Sequence, residues 1–281
     1  MDNDLSQGPA IVDTDWLTGN ADNPDLVIAD VRWYLDGRDG RAAFEQAHIP
    51  GAVWIDLDAW VASPASPEQG RHPMPTAEVF ARGAGAVGIG DDTMVVAYDD
   101  LGGLVAGRLV WMLRILGHRA HLLDGGLQAW PGSTEQGSDS PTPRPFTAKP
   151  WPPDSFVDID EVAAAHAAGT VVVDSRAPER YRGESEPVDP RAGHIPGALN
   201  LPFPENMVDG RFRPAGELRT RFSEAGITGD SIFYCGSGVS ACHNILAAEA
   251  AGLERPRLYP GSWSQWSSDP GRPAATAGRP G

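Results

Sequence analysis

Leu26-Val27-Ile28-Ala29-Asp30-Val31-Arg32 is an apolar run closed by an acid, and 144 positions after Asp30 the pattern returns as Val171-Val172-Val173-Asp174-Ser175-Arg176. Working outward from this pair, further echoes appear in the same order. His48-Ile49-Pro50-Gly51-Ala52 recurs as His194-Ile195-Pro196-Gly197-Ala198, 146 positions on. Val95-Val96-Ala97-Tyr98 recurs as Ile232-Phe233-Tyr234, and Gly125 with Trp130 recurs as Gly261 with Trp266, both at 136. Unbroken order with a small drift in spacing is what a duplicated domain leaves once its loops have changed length. Within each half, short Val/Ile/Leu runs alternate with longer helical patterns such as Leu104 to Leu116 and Ile159 to Ala168. Such runs suit strands buried on both faces, so each half is expected to be α/β, a parallel β-sheet flanked by helices. The expected layout is an N-terminal domain over 1–132, a linker rich in Pro, Ser and Thr over 133–155, and a C-terminal domain over 156–281.

At 281 residues the chain is long enough for two domains, each with its own core. Its formal charge of −16 argues against nucleic acid or an anionic membrane as partner, because both need a basic face. An anionic substrate must therefore be drawn by a local cluster of arginines. Two cysteines cannot form a disulfide scaffold, and Met1-Asp2-Asn3-Asp4 opens no apolar leader, so a reducing cytoplasm is the expected location.

The two halves differ at one telling place. Tyr98-Asp99-Asp100 in the first lines up with Tyr234-Cys235-Gly236 in the second, a carboxylate against a thiol. The first half therefore lacks the nucleophile, and one active site per chain is expected, at the mouth of the second half. There Cys235 follows an apolar strand and opens Gly236-Ser237-Gly238-Val239-Ser240-Ala241, whose small side chains leave the backbone N–H groups free to curl around one point. The next stretch, Ala241 to Ala251, has helix composition, and its N-terminus would aim a partial positive charge at the same point. A thiol so placed is expected to ionise readily and act as a nucleophile. Cys242, seven residues after Cys235, lands on that helix about two turns away from it and reads as a packing residue; His48 and His194, a pair that recurs although only one half has a nucleophile, read as structural.

These residues resemble the tandem rhodanese family of sulfurtransferases, through the paired His-Ile-Pro-Gly-Ala segments, Tyr98-Asp99-Asp100 in the first half and Gly261-Ser262-Trp263-Ser264-Gln265-Trp266. Within it, Cys235-Gly236-Ser237-Gly238-Val239-Ser240 is similar to the loop of 3-mercaptopyruvate sulfurtransferases, with Ser240 where Thr is more usual. The resemblance implies two rhodanese-like domains, each with a five-stranded parallel sheet, and a cleft between them. It implies that Cys235 carries a persulfide inside the loop of Gly236, Gly238, Val239 and Ser240, and that Ser237, His72 and Asp58 form a proton relay. It implies substrate-binding arginines: Arg180 matches the first, while the second position is filled by Arg191 if the loop runs longer, or by Arg182. No metal or organic cofactor is implied. The donor is a small anion, 3-mercaptopyruvate or alternatively thiosulfate, and the acceptor a thiol, a thioredoxin-like protein or cyanide. A cysteine phosphatase would need an arginine about six residues after the cysteine, where Ala241 stands; a non-enzymatic sulfur-carrying module is the remaining alternative.

Overall fold

A computed structural model of the chain describes residues 7–138, 140–165 and 168–276. The first half contains β1 (Ile11–Val12), α1 (Thr14–Gly19), β2 (Leu26–Asp30), α2 (Gly40–Gln46), β3 (Val53–Trp54), α3 (Ala77–Ala86), β4 (Met94–Tyr98), α4 (Ala106–Ile115) and β5 (Arg119–Leu123). The second contains α5 (Ile159–Ala165), β6 (Val172–Asp174), α6 (Pro178–Tyr181), β7 (Leu199–Asn200), β8 (Met207–Val208), β9 (Arg211–Phe212), α7 (Ala215–Glu224), β10 (Ile232–Tyr234), α8 (Ser240–Ala250), β11 (Arg257–Leu258) and α9 (Ser262–Ser268). The apolar runs singled out in the sequence become central strands: β4 and β10 are buried along their whole length.

The first sheet is five-stranded in the order β1-β5-β4-β2-β3, all parallel. The second departs from the five strands expected of it, running β11-β10-β6-β7 with four parallel strands. In the place of a fifth, Phe156 makes one bridge to Leu258, and Val157 N–H donates to Leu258 O at 2.8 Å. Pro152 and Pro153, just upstream, have no N–H to extend that pairing. The antiparallel pair β8-β9 is a separate hairpin between α6 and α7.

The duplicated motifs hold matching turns. Asp30 and Asp174 each bind the arginine two residues on, Arg32 and Arg176, in buried pairs with a 2.7 Å contact. His48 stacks on Phe44 and bonds Phe44 O, as His194 does with Tyr181 and Tyr181 O. The hydroxyls of Tyr98 and Tyr234 accept from Ile49 N–H and Ile195 N–H at 3.0 and 3.1 Å. In both halves this ties the turn after the histidine to the strand that ends at the loop in question.

Described residues of 133–151 lie on the first half at three points. Glu135 bridges His48, Arg144 N–H donates to Gly85 O, and Trp151 Nε1–H donates to Pro75 O. The halves are joined through α4 and α8, which pack on each other. All ten residues of α4 are buried, as are Ala241 to Glu249 of α8, so one apolar core runs through both halves. Among the described residues no helix is long and apolar enough to cross a membrane. The last five residues of the C-terminal tail lie outside the described residues.

Candidate active site

β4 and β10 each deliver their chain into a loop that leads to a helix N-terminus. In the first half the loop closes on a carboxylate. Asp99 is fully buried and accepts four main-chain N–H bonds: from Leu101 and Gly103 on Oδ1, both 2.8 Å, and from Val105 and Ala106 on Oδ2, at 2.8 and 2.9 Å. A turn of this shape thus gathers amides around one anionic group. Cys235 holds the corresponding place in the second half, and the backbone follows suit, with Gly102 at φ +70° and Gly238 at φ +73°. A Cβ on Gly238 would stand 2.5 Å from Pro260 O, so the turn requires glycine twice over, for its conformation and for its space.

The start of α9 holds the cysteine's main chain. Cys235 N–H donates to Ser262 Oγ at 3.2 Å, Trp263 N–H to Cys235 O at 3.0 Å, and Ser264 N–H to Gly236 O at 2.9 Å. Ser262 adopts φ +53°, costly for a residue with a Cβ; its counterpart in the first half is Gly126, at φ +56°. The serine keeps that conformation and adds a hydroxyl, which caps the cysteine amide.

Cys235 itself is only 2% exposed, which corrects the expectation of a thiol at an open mouth. It lies in the apolar core with Val239 and Ala241, and two cations gather beside the next residue, Gly236. A Cβ there would meet Arg71 Nη2 at 2.8 Å and Arg180 Nη1 at 3.5 Å, so two guanidinium groups, one from each half, converge on the loop. Asp189 lies between them, paired with Arg71 and with Arg180 at 3.0 Å, its side chain 1% exposed. Glu186 adds a 2.6 Å bond to Arg180 and a 3.0 Å bond to Arg176. Burial pushes the Asp189 carboxyl up, against the opposing pull of Arg71 and Arg180.

Ser237 and His72 come together across the two halves: Oγ and Nδ1 are 2.8 Å apart. Burial, with Arg108 and Arg71 nearby, pushes the His72 imidazole down to about 3, so the ring is neutral at physiological pH. Asp58 is not hydrogen-bonded to it. Its carboxylate is 3.8 Å from His72 Nε2, beyond hydrogen-bond length, largely exposed, and accepts instead from Trp33 Nε1–H at 2.8 Å. Trp33 packs edge-on against the His72 ring at 5.0 Å, so Asp58 reaches the histidine mainly through the tryptophan.

Of the arginines expected to bind substrate, Arg180 lies at the loop and two do not. Arg191 is spent elsewhere: its guanidinium donates to the carbonyls of Trp266, Ser267, Asp269 and Arg272 at 2.8–3.0 Å, pinning the end of α9 and the residues just after it. Arg182 pairs with Glu184 at the surface, at 2.7 Å. The second guanidinium at the loop comes from Arg71, which the sequence reading passed over although it adjoins His72. Its only signal was that adjacency. Cys242 is fully buried, burial pushes its thiol well above the ordinary range, and its Sγ–H donates to Gly238 O at 3.4 Å.

A family model described as Rhodanese-like domain matches residues 13–132 and again residues 158–269. The chain is 42% identical over 275 residues to a probable 3-mercaptopyruvate sulfurtransferase of Pseudomonas aeruginosa, covering 92% of this chain and 95% of that protein. It is 40% identical over 286 residues to a putative thiosulfate sulfurtransferase of Mycobacterium tuberculosis, covering 95% and 97%. The solved structure of a 3-mercaptopyruvate sulfurtransferase from Leishmania major superposes with a TM-score of 0.80 at 31% identity, over 92% of this chain and 74% of that one.

Proposed function

The chain belongs to the rhodanese-like family, carries its domain twice and is a sulfurtransferase; on that premise we propose that Cys235 takes sulfur from 3-mercaptopyruvate as a persulfide. The observation that carries the choice of donor is the 2.8 Å pairing of Ser237 Oγ with a neutral His72 Nδ1 beside the cysteine loop. A carbon leaving group needs a proton, whereas sulfite leaving from thiosulfate does not.

In this reading the Cys235 thiolate attacks the sulfur of 3-mercaptopyruvate. An S–S bond forms as the S–C bond breaks, and the bonding pair leaves with carbon as the enolate of pyruvate. Ser237 and His72 supply the path along which one proton reaches that enolate, and pyruvate departs. A thiol, a thioredoxin-like protein or cyanide then attacks the outer sulfur, and the S–S pair returns to Cys235 as thiolate. The loop of Gly236, Gly238, Val239 and Ser240 forms the cradle; of its amides, Val239 N–H stands where Gly103 N–H holds Asp99, and Ser237, Ala241 and Cys242 stand where the other three donors do. Arg180 and Arg71 are the substrate clamp, with Arg71 in the second place, for which Arg191 or Arg182 was expected. Asp58 steadies Trp33 and, through it, the His72 ring. The reaction belongs in a reducing compartment, the cytoplasm, where thiol acceptors persist.

The test compares catalytic efficiency with 3-mercaptopyruvate and with thiosulfate, and weighs the protein after exposure to each donor. A gain of one sulfur mass on Cys235 and a preference for 3-mercaptopyruvate are expected, with Cys235→Ser inactive. His72→Ala is expected to impair 3-mercaptopyruvate turnover far more than thiosulfate turnover. Preference for thiosulfate, with equal losses in His72→Ala, would move the assignment to the activity named for the Mycobacterium tuberculosis relative. Activity surviving in Cys235→Ser would end the persulfide route altogether.

A further inference from the structure

Four arginines are buried among the described residues, and three of them face carboxylates: Arg32 with Asp30, Arg114 with Glu249, and Arg176 with Asp174 and Glu186. Arg108, on α4 of the half without the cysteine, is the exception. It is fully buried, and its hydrogen bonds go only to uncharged acceptors. Nη1–H donates to Gly238 O at 2.9 Å, Nη2–H to His72 O and Pro73 O at 2.9 and 3.1 Å, and Nε–H to Val61 O at 3.2 Å, with Met74 Sδ at 3.8 Å. A buried cation without an anion is costly, and a protein keeps one where an anion forms nearby.

The carbonyl it holds lies inside the cysteine loop. In a trans peptide the C=O and the next N–H point to opposite sides, so Arg108 on Gly238 O turns Val239 N–H the other way. In the first half the corresponding amide is Gly103 N–H, which donates to Asp99 Oδ1 at 2.8 Å. The carbonyl before it, Gly102 O, is held in turn by the opposite half, through His243 Nε2 at 3.1 Å. The two loops are thus braced in the same way across the interface. The brace on the inert loop is a histidine that burial keeps neutral, at about 3, and the brace on the cysteine loop is an arginine.

We propose that Arg108 is a positioning residue for sulfur transfer, aiming the Val239 amide at the sulfur and supplying the buried positive charge that offsets Cys235 as thiolate and as persulfide. This rests on the reading of Cys235 as the sulfur carrier. Burial pushes the Arg108 guanidinium below its ordinary value, and ionisation of Cys242 or Cys235 is what would draw it back. The other charged and titratable groups about the loop are Arg71, Arg180 and Asp189 on the Gly236 side, His72 against Ser237, and Cys242 against Gly238. Among these, Arg71 and Arg180 already face Asp189, which leaves Arg108 as the cation without a carboxylate of its own.

The experiment follows the rate of Cys235 alkylation by iodoacetamide against pH in full-length protein, for wild type, Arg108→Met and Arg108→Lys. Alkylation needs no sulfur donor, so it tests Arg108 independently of the sulfur-loading measurement that tests the carrier reading. For Arg108→Met the midpoint is expected to rise by about one pH unit or more, and kcat to fall at least about tenfold with little change in KM. For Arg108→Lys, which keeps the charge and loses most of the carbonyl bonds, the midpoint is expected to stay near wild type while kcat falls. A folded Arg108→Met with the wild-type midpoint overturns the proposal. Should that variant not fold, Arg108→Lys decides: an unchanged kcat, or a midpoint displaced upward by a full unit, overturns it.

Discussion

Asp189 occupies the space between Arg71 and Arg180 that the carboxylate of an anionic donor would need. Two guanidinium groups beside Gly236 would otherwise repel each other, and Asp189 pairs with both. Under the proposed clamp a donor carboxylate would exchange with Asp189, whose carboxyl is pushed up by burial against the pull of Arg71 and Arg180. Asp189→Asn keeps the shape and removes the competing charge. The KM for 3-mercaptopyruvate is expected to fall about tenfold or more, since a charge-assisted bond is worth roughly 1.5–3 kcal/mol. Steady-state kinetics checks this, and a raised KM would mean that Asp189 instead preorganises the arginines for the donor. Sequence could nominate Arg180 and His72 from their motifs. It could not pair Arg71 with Arg180, because the two are 109 positions apart and nothing local couples them.

Elements built alike in the two halves carry different loads. Both loops are held from outside at the residue after the strand, Asp99 O by Leu127 N–H and Cys235 O by Trp263 N–H, each at 3.0 Å; the first loop is also filled by its own carboxylate, and the second gains Ser262 Oγ and Ser264 N–H from the start of α9. α9 is in turn held in place by Arg191, through four carbonyls at its end and just beyond. Arg191→Ala is expected to cost about 3 kcal/mol, from several charge-assisted bonds lost at once, and to leave the donor KM within about twofold of wild type. Urea unfolding and kinetics check the two parts. A tenfold rise in KM with unchanged stability would restore Arg191 as a substrate clamp. The loop and the helix after it were legible from composition, since glycines and serines between an apolar strand and a helix admit few other shapes. The brace was not, because nothing local in Gly261 to Ser264 says that it lies against Cys235.

The whole molecule depends on an interface that is part apolar and part ionic. Glu249 of α8, buried, binds Arg114 of α4 at 3.0 Å and Arg255 at 3.0 Å, so one carboxylate ties the halves together. Burial pushes its carboxyl up, but Arg255 and Arg114 together bring it below its ordinary value. A depressed carboxylate stabilises the fold fully above its unfolded value of about 4.5, and that contribution is lost as pH falls through the lower folded value. Glu249→Gln is expected to cost about 3 kcal/mol at pH 7, by leaving Arg114 buried without its anion. The difference from wild type should shrink as pH drops below about 4. Thermal melts at pH 7 and pH 3.5 check this; a difference that is constant between them would place the loss in packing rather than charge.

The sequence by itself determined the duplication, the α/β class and the inequality of the halves, because strand patterns, turn chemistry and the exchange of Asp99 for Cys235 are local and repeat at a nearly fixed spacing. It overstated the second sheet, where Pro152 and Pro153 leave a single bridge in place of a strand. Only the tertiary structure decided what surrounds the sulfur. His72, Arg71 and Arg108 reach the loop from the other half, and Asp189 pairs with the two arginines beside Gly236. Those placements follow from how α4 and α8 dock, and docking is set by the sum of many apolar contacts over both helices rather than by any pattern that a stretch of residues can display.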